Sequence, residues 1–219
     1  MMPRFHAQDE HLMDYAAGSL AEPIAVLVAT HLALCPACRA RVEAFEAVGG
    51  ALLEKLGTEA IDRSLRDSVL AKLDETDSEC APPPSVRKPA PIDLRVPEPL
   101  RGYLGGGLDT LAWKARGPVD EVRILREHAG VTSRLLRIKA GTPMPHHTHD
   151  GNELTLVLTG GFTDRGDHFL RGDVAAADSS VDHCPAADPG EDCYCFAVND
   201  APLRLTGPIG RLLNPFLRI

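Results

Sequence analysis

The stretch that decides the fold of the first third of the chain is IAVLVATHLALCPAC, residues 24–38. Its apolar and potential ligand residues recur with the i, i+3, i+4, i+7 spacing of one helical face; they are Ile24, Leu27, Val28, His31, Leu32 and Cys35. Ser19 and Glu22, just upstream, have the spacing of a capping box. Pro36 is suited to the first turn of a new helix. The stretch therefore predicts two successive helices that meet at a Cys-Pro junction.

The sequence on both sides of this stretch predicts further helical structure. Asp9 can cap a short helix that runs through Tyr15 and stops at Gly18. The helix that follows the proline is expected to end at Gly49-Gly50. Its inward positions are Cys38, Val42 and Phe45.

A fourth helix is predicted to open at Ser64 with Asp67. Its apolar stripe consists of Leu65, Val69, Leu70 and Leu73. Packing on its own domain is one interpretation of the stripe, because most apolar stripes face a core.

Three metal-binding side chains converge at the helix junction. His31 and Cys35 lie one turn apart on one helical face, and the following turn brings Cys38 towards them. Thiolate and imidazole ligands favour tetrahedral Zn²⁺, which takes a fourth protein ligand in a structural site. Of His6 and His11 we favour His6, because an extended lead-in folds back more freely than a side chain within a helix. The alternatives are metal-free burial and a redox dithiol.

Proline density divides the chain. Seven prolines fall between Pro82 and Pro99, a density that disfavours both helix and central strand and predicts a stiff, extended linker. We therefore expect a helical module of residues 1–80, a linker of residues 81–99 and a second module of residues 100–219. A long surface loop within one domain is the alternative.

Negative charge is concentrated in the helical module. The 219-residue chain has 31 acidic and 23 basic side chains, a formal net charge of −8, and residues 1–80 contain 14 of the acidic and 7 of the basic ones. This balance argues against direct nucleic-acid binding, which needs a concentrated basic surface. The longest apolar run, residues 24–34, is too short to span a bilayer, and the N-terminus lacks the apolar core of a signal peptide. We expect a cytoplasmic protein without membrane contact.

The second module changes from helical to strand periodicity. Leu154, Leu156 and Leu158 alternate with Thr155 and Val157, as in a strand with two different faces. Short apolar runs of this kind are separated by Gly, Asp and Pro clusters; they are Val122–Leu125, Leu135–Ile138, Leu154–Leu158, Val174–Ala177 and Cys193–Val198. Such spacing predicts an antiparallel sandwich or barrel.

A second and more specific metal pattern is G-x5-H-x-H-x3-E-x6-G, residues 141–160. His147 and His149 project to one face if they lie in a strand, and Glu153 shares their parity. His183, which follows a further turn and strand, is the expected fourth ligand. Three imidazoles and a carboxylate suit Zn²⁺, Fe²⁺, Mn²⁺ or Ni²⁺, and composition does not choose among these metals.

The cysteines outside the first cluster have no assigned role. Cys193 and Cys195 share one strand face and Cys184 follows His183, so thiols near the second metal could be oxidised. Free cysteine is also among the most commonly buried residue types, and burial is the interpretation that we favour. The role of Cys80, at the linker edge, stays open.

The helical module resembles the zinc-binding anti-sigma (ZAS) domain of bacterial anti-sigma factors. The resemblance rests on His6 and on His31-x3-Cys35-x2-Cys38 in an acidic, all-helical setting over roughly residues 1–75. It implies that these four residues are zinc ligands. It also implies a 1:1 complex with an extracytoplasmic-function (ECF) sigma factor, in which the fourth helix takes part. Its apolar stripe would then face the partner protein, so this interpretation stays open beside packing on its own domain.

The second module, residues 100–219, resembles the cupin family through the pattern at residues 141–160 and through His183. This resemblance implies a small double-stranded β-barrel, or jelly roll, with the metal inside. The second cupin motif is incomplete here, because no Pro-x-Gly precedes His183 and the usual asparagine after it is absent.

A ZAS-like domain followed by a cupin-like domain is similar to the ChrR family of anti-sigma factors. The closer match is carried by HLALCPAC, residues 31–38, and by ELTLVL, residues 153–158. The resemblance implies a transcription regulator without catalytic activity, which holds a sigma factor and releases it when the cupin domain senses singlet oxygen or organic peroxide.

The alternative function is that of a metal-dependent cupin oxygenase or isomerase with a structural zinc module. Oxygen-using cupins share the set of three histidines and one glutamate, so the ligands alone do not separate the two functions.

Overall fold

The computed structural model describes residues 2–74 and 92–207. Its helices are α1 (Asp9–Ala16), α2 (Glu22–Leu34), α3 (Pro36–Glu54), α4 (Arg63–Asp74) and α5 (Glu98–Leu104), with a 3-10 turn at Leu108–Thr110. Its strands are β1 (Lys114–Arg116), β2 (Val119–Arg123), β3 (Thr132–Ile138), β4 (His147–His149), β5 (Glu153–Thr159), β6 (Gly161–Asp164), β7 (Asp167–Leu170), β8 (Val174–Ala177), β9 (Ala186–Ala187), β10 (Cys193–Asn199) and β11 (Leu203–Leu205). Helices precede strands, as predicted for an all-α module followed by an all-β module.

The first three helices enclose a small apolar core. Its buried side chains are Ala7, Leu12, Val28, Leu32, Cys35, Cys38 and Val42. Two of them are the cysteines of the predicted metal cluster, so this core includes the cluster itself. Small cores of this kind gain much of their stability from a bound metal.

The starts of α1 and α2 differ from the predicted caps. The N-cap residue of α2 is Ala21, and no side chain caps it. Ser19 does not form the predicted capping box, because its hydroxyl donates to the Asp14 carbonyl oxygen at 3.1 Å. A proline in the first turn starts α2 instead, since its fixed φ suits a helix and its missing N–H needs no partner there. In α1 the N-cap residue is Gln8, and Asp9 is already helical.

The end of α3 and the start of α4 also differ from the prediction. Gly49 and Gly50 lie inside α3, which continues to Glu54. Both glycines keep a right-handed backbone, so the pair does not supply the left-handed residue that usually ends a helix. At α4 the Ser64 N–H donates to the Asp62 carboxylate at 2.9 Å, which makes Asp62 the capping residue.

The all-β module is built on a six-stranded antiparallel sheet with the order β1-β2-β3-β10-β5-β8. A three-stranded sheet, β7-β6-β9, and a two-stranded sheet, β11-β4, complete the module. All five predicted apolar runs fall in the large sheet. The predicted run Val122–Leu125 extends beyond its strand, because β2 ends at Arg123. The Leu125 N–H donates instead to the hydroxyl oxygen of Ser133 at 3.4 Å.

The two faces of β5 have different environments. Leu154, Leu156 and Leu158 are buried in the apolar cluster on the outer face of the large sheet. Glu153 and Thr155, of opposite parity, line a cavity on its inner face. The alternation predicted from the sequence is therefore present, and it directs the candidate ligand Glu153 inwards.

The helical module covers the outer face of the large sheet. Val26 and Leu27 of α2 belong to the same buried cluster as Leu100 of α5 and Phe196 of β10. Because α2 turns its other apolar side towards α1 and α3, it is buried from two directions. The two predicted modules thus share a packed interface and are not merely tethered.

Helix α5 begins within the range that the sequence assigns to the linker. Glu98 and Pro99 form its first turn, where proline is well tolerated because that N–H has no helical partner. Residues 75–91, which include Cys80 and most of the prolines, lie outside the described residues. Within the two described ranges, no helix combines the length and the apolar character needed to cross a membrane.

Candidate metal centres

Four predicted ligands of the helical module come together at the junction of α2 and α3. Nδ1 of His6 lies 3.3 Å from Sγ of Cys35 and 3.5 Å from Sγ of Cys38. Nε2 of His31 lies 3.2 Å from Sγ of Cys38. One ligand atom from each residue lies within 4.8 Å of those of the other three. His11, the other candidate for the fourth ligand, is not one of these four residues.

The helix junction itself fixes two of these ligands. Cys35 ends α2, where its N–H donates to the His31 carbonyl oxygen at 2.8 Å, and it is also the N-cap residue of α3. The Cys38 N–H donates to Sγ of Cys35 at 3.5 Å. His6 approaches from the extended segment before α1, as expected from the sequence. The protein therefore presents two thiols and two imidazoles around one point.

The electrostatics of this cluster favour a bound cation. Burial lowers the pKa of His31, which keeps the imidazole neutral and able to ligate. Burial, followed by the hydrogen bond with Cys35, raises the pKa of Cys38 to about 12. The buried Cys38 thiol thus resists ionisation without a positive charge beside it. A divalent cation supplies that charge, so the donor set fits Zn²⁺.

The second predicted set also converges, inside the all-β module. His147 and His149 lie on β4, and Glu153 is the first residue of β5. His183 pairs with His147 through two backbone hydrogen bonds of 3.0 Å. Nε2 of His149 lies 3.1 Å from Nε2 of His183. The four ligand atoms lie within 4.8 Å of one another.

Neighbouring groups orient the histidines of this set. The Asp164 carboxylate accepts a hydrogen bond from Nδ1 of His183 at 2.8 Å. The Pro145 carbonyl oxygen accepts one from Nδ1 of His147 at 2.8 Å. Each bond places the ring proton on Nδ1 and leaves Nε2 free to ligate.

The carboxylate of Glu153 is held in the same way. Nδ2 of Asn199 donates to it at 2.6 Å and the Thr155 hydroxyl donates at 3.2 Å. Asn199 in turn accepts from the buried Arg134 at 3.4 Å. The carboxylate is thus fixed towards the cavity by a polar chain that crosses the large sheet.

This set also fits a cation. Because Nδ1 of His183 donates its proton to Asp164, Nε2 of the same ring carries a lone pair. Nε2 of His149 lies only 3.1 Å from this lone pair. Nδ1 of His149 is buried without a hydrogen-bond partner. Burial lowers the pKa of His147 and of His149, which favours neutral, ligating rings. A divalent metal would satisfy the facing lone pairs.

Replacing Asp164 with asparagine is expected to weaken metal binding at this set about 10–100-fold, the usual cost of losing an outer hydrogen-bond partner of a ligand. The reason is that a neutral amide at this position no longer offers His183 a charged acceptor. Titration against a competing chelator measures the change. Asp167→Asn, an exposed position on neighbouring β7, is the control; equal affinity in the two variants would contradict the assigned role of Asp164.

Three of the four candidate ligands, His147, Glu153 and His183, line a cavity of about 420 Å³. Its wall is mainly apolar and includes Val119, Leu136, Ile138, Met144, Phe162 and Phe169. The polar groups that reach it are the metal set, its hydrogen-bond partners and the charged residues Arg116, Glu121 and Arg165. Such a cavity suits a small, mostly apolar molecule with one polar group that can reach a metal.

The thiols of the all-β module are mostly buried. Sγ of Cys193 lies 3.5 Å from Sγ of Cys195, and both residues are buried. The hydrogen bond with Cys193, together with burial, holds the pKa of Cys195 well above its ordinary value. Cys184 donates to the Met144 carbonyl oxygen at 2.9 Å. The favoured interpretation of the Cys193 pair as buried side chains agrees with these contacts, although Cys195 also lines the cavity.

The apolar stripe of α4 is exposed. Its four side chains, Leu65, Val69, Leu70 and Leu73, are between 48% and 76% exposed. Val48, Leu52 and Leu53 on the last turns of α3 are exposed as well. Of the two interpretations left open, the described residues therefore favour a partner-facing stripe, since no core covers it.

Several residues that support the set in the all-β module were missed at the sequence level. Asp164 and Asn199 are close to ligands only because strands distant in sequence become neighbours, whereas Thr155 lies two residues from Glu153 on β5. No local motif marks these three positions. Their types, an acid, an amide and a hydroxyl on strands, are common on any sheet, so sequence patterns alone could not single them out.

Comparisons with known proteins agree with this architecture. The family described as the ChrR cupin-like domain matches residues 106–202, and a zinc-finger family matches residues 8–39. The anti-sigma-E factor ChrR of Cereibacter sphaeroides is 41% identical over 222 residues, which cover all of both chains. A chain in the crystal structure of Rhodobacter sphaeroides SigE in complex with the anti-sigma ChrR is 40% identical; the match covers 90% of this chain and 100% of that one, with a TM-score of 0.78.

Proposed function

Since this chain belongs to the family of ChrR anti-sigma factors, we propose that it binds an ECF sigma factor through its helical module and releases it when the cupin module senses oxidative stress. Its relative of known structure is in complex with a sigma factor. The protein is accordingly a regulator of transcription and not an enzyme, so the oxygenase or isomerase alternative is set aside. Binding in a 1:1 complex and action in the cytoplasm, where sigma factors meet RNA polymerase, are part of the proposal.

The exposed stripe of α4 carries the sigma-binding part of the proposal. Leu65, Val69, Leu70 and Leu73 form an apolar face that the described residues leave uncovered. Contiguous apolar surface of this kind marks protein interaction sites. The acidic excess of residues 1–80 complements the basic surfaces by which a sigma factor meets polymerase and DNA, which favours fast and specific association.

The two metal sets have different parts in the proposal. His6, His31, Cys35 and Cys38 would hold Zn²⁺ as a structural ion, which is supported by their donor types and by their place in the small helical core. His147, His149, Glu153 and His183 would hold Zn²⁺ or another divalent transition metal as part of the sensor.

The cavity supports the proposed signal. An organic hydroperoxide has an apolar body and a polar oxygen pair, and the cavity offers apolar walls beside the metal set. Singlet oxygen would act on the same region, where the metal ligands, the Met144 thioether and the Cys195 thiol are oxidisable groups. Oxidation or displacement of a ligand would then loosen the contact between cupin and helical modules.

The proposal is tested by co-purification with an ECF sigma factor, using variants of the α4 stripe. Val69→Asp and Leu73→Asp are each expected to weaken sigma binding at least about tenfold, because a charge is placed in an apolar contact. Binding is measured by calorimetry on the purified proteins. The free energy of unfolding should change by no more than about 0.5 kcal/mol, since both side chains are exposed.

Leu94→Asp is the matched control, because Leu94 is also apolar and exposed but lies in the last part of the predicted linker, outside α4. It should bind the sigma factor as the unmodified chain does. Full affinity in both α4 variants would show that α4 does not face the sigma factor, and failure to form any complex would overturn the proposed function.

A further inference from the structure

The two modules also meet beside the helical metal set. Residues 3–6, which we call the N-terminal strap, precede α1 and end at the candidate ligand His6. The strap contacts the turn between β7 and β8, which contains Gly172 and Asp173. Neither of these two residues is a candidate ligand, so their contacts with the strap serve another purpose.

Asp173 holds the strap by its backbone. Oδ1 of Asp173 accepts the N–H groups of Arg4 and Phe5 at 2.6 and 3.0 Å, and Oδ2 accepts the Leu170 N–H at 2.8 Å. The Val174 N–H donates to the Phe5 carbonyl oxygen at 3.1 Å. Asp173 is only 2% exposed, and a buried carboxylate with three N–H donors is a strong, directional anchor. The position of the next residue, His6, follows from this anchor.

The same turn orients a second ligand. The Gly172 carbonyl oxygen accepts a hydrogen bond from Nδ1 of His31 at 2.8 Å. Gly172 has a φ of +91°, and a Cβ there would lie 2.8 Å from Cγ of Pro3 and 3.4 Å from Cβ of Leu34. Only glycine permits this approach. Two of the four ligands in the helical module are thus held from the cupin module.

We propose that Gly172 and Asp173 are positioning residues for the zinc site of the helical module, so that the cupin module helps to determine how tightly that zinc is held. This inference rests on the proposed zinc binding. Outer partners that fix the orientation of a ligand commonly change metal affinity about 10–100-fold. Here those partners lie in the cupin module, more than 130 residues away in sequence. Residues of both modules therefore determine the geometry of the zinc site.

The strap is also in contact with the wall of the cupin cavity. The ring centroids of Phe5 and Phe169 lie 4.4 Å apart. The Phe169 ring in turn stacks on that of Phe162, with 4.9 Å between the centroids. Phe162 and Phe169 both line the cavity. A change in the cavity that displaces Phe169 therefore displaces the residue next to His6. This contact links the sensor to the zinc site without passing through the linker.

Cobalt substitution of the full chain tests the inference. Co²⁺ bound by thiolates absorbs in the near ultraviolet through charge transfer. Of the two candidate sets among the described residues, only the helical one contains cysteines, so this band reports that site. In Asp173→Asn we expect the apparent affinity of this site for Co²⁺, measured against a chelator, to fall about 10–100-fold. The visible cobalt spectrum of the histidine and glutamate set should stay unchanged.

Asp192→Asn is the matched control. Asp192 also accepts a backbone hydrogen bond in a turn of the cupin module, from Ala140 at 3.1 Å, and it should retain full cobalt affinity at both sites. Phe5→Ala is a second variant that keeps Asp173, and we expect a loss of several-fold at the thiolate site. If Asp173→Asn does not fold, the cobalt affinity of Phe5→Ala tests the positioning role instead.

Two outcomes separate this inference from the proposed function. If the unmodified chain gives no thiolate band with Co²⁺, the proposed helical zinc site is wrong, and the inference falls with it. If the band is present and both Asp173→Asn and Phe5→Ala retain cobalt as tightly as the unmodified chain, only the positioning role is overturned.

Discussion

Replacement of Cys35 and Cys38 together by serine is expected to weaken sigma binding at least about 100-fold. Serine hydroxyls are poor zinc ligands, and structural zinc contributes about 10–16 kcal/mol to the folding of small zinc-binding domains. Both sulfur atoms lie within the core of the helical module. Loss of the metal is therefore expected to disorder the helices that surround them and the surface that these helices present. The change is measured as sigma affinity by calorimetry, together with the zinc content of the same samples.

Cys184→Ser is the control for thiol loss in general, because Cys184 belongs to neither ligand set. It should leave both zinc content in the helical module and sigma affinity unchanged. Tight sigma binding that survives replacement of all four helical ligands, His6, His31, Cys35 and Cys38, would contradict the structural role of zinc.

Replacement of a cupin ligand should leave sigma binding intact and should instead impair the release of the sigma factor. In Glu153→Gln and His183→Ala we expect sigma affinity close to that of the unmodified chain, but little or no release after treatment with an organic hydroperoxide or a singlet-oxygen generator. The reason is that these ligands lie in the cavity, away from the exposed stripe of α4. Release is measured as the fraction of sigma factor freed from the immobilised complex.

His168→Ala is the matched control, because this histidine is in the same module but is exposed and paired with Asp188 at 2.6 Å. Normal release is expected there. If the variants at Glu153 and His183 also release the sigma factor normally, the cupin metal has no part in sensing.

The order of the modules and the convergence of both ligand sets were predictable because they depend on short-range spacing. The i, i+4 relation of His31 and Cys35 places two ligands on one helical face. The i, i+2 relation of His147 and His149 does the same on a strand. In both sets the fourth ligand, His6 or His183, was chosen from very few candidates, and the structure brings each of them to its set.

The helix caps were less predictable for a physical reason. Ser19, Asp9 and Ser64 are all suitable capping types, but a neighbouring residue takes the position in each case. Caps depend on one or two hydrogen bonds worth about 1 kcal/mol, which tertiary contacts readily outweigh. Gly49 and Gly50 were expected to end α3. The helix continues through both residues, because glycine inside a helix costs only a small amount of free energy.

Contacts between the modules could not be predicted from the sequence. The proline-rich segment indicated two separate parts, yet α2 packs against the large sheet and the turn at Gly172 reaches His31. Such contacts join residues far apart in sequence, and no local pattern encodes them. The polar partners Asp164 and Asn199 were missed for the same reason.

The junction at Cys35 has a mechanical consequence. One residue ends α2 and begins α3, so no intervening loop can absorb a local rearrangement. A displacement of either sulfur atom would therefore be passed directly to the first turn of α3, in which Cys38 is the third residue. The exposed apolar side chains of Leu52 and Leu53 lie at the other end of the same helix, so one continuous helix joins the metal site to this exposed surface.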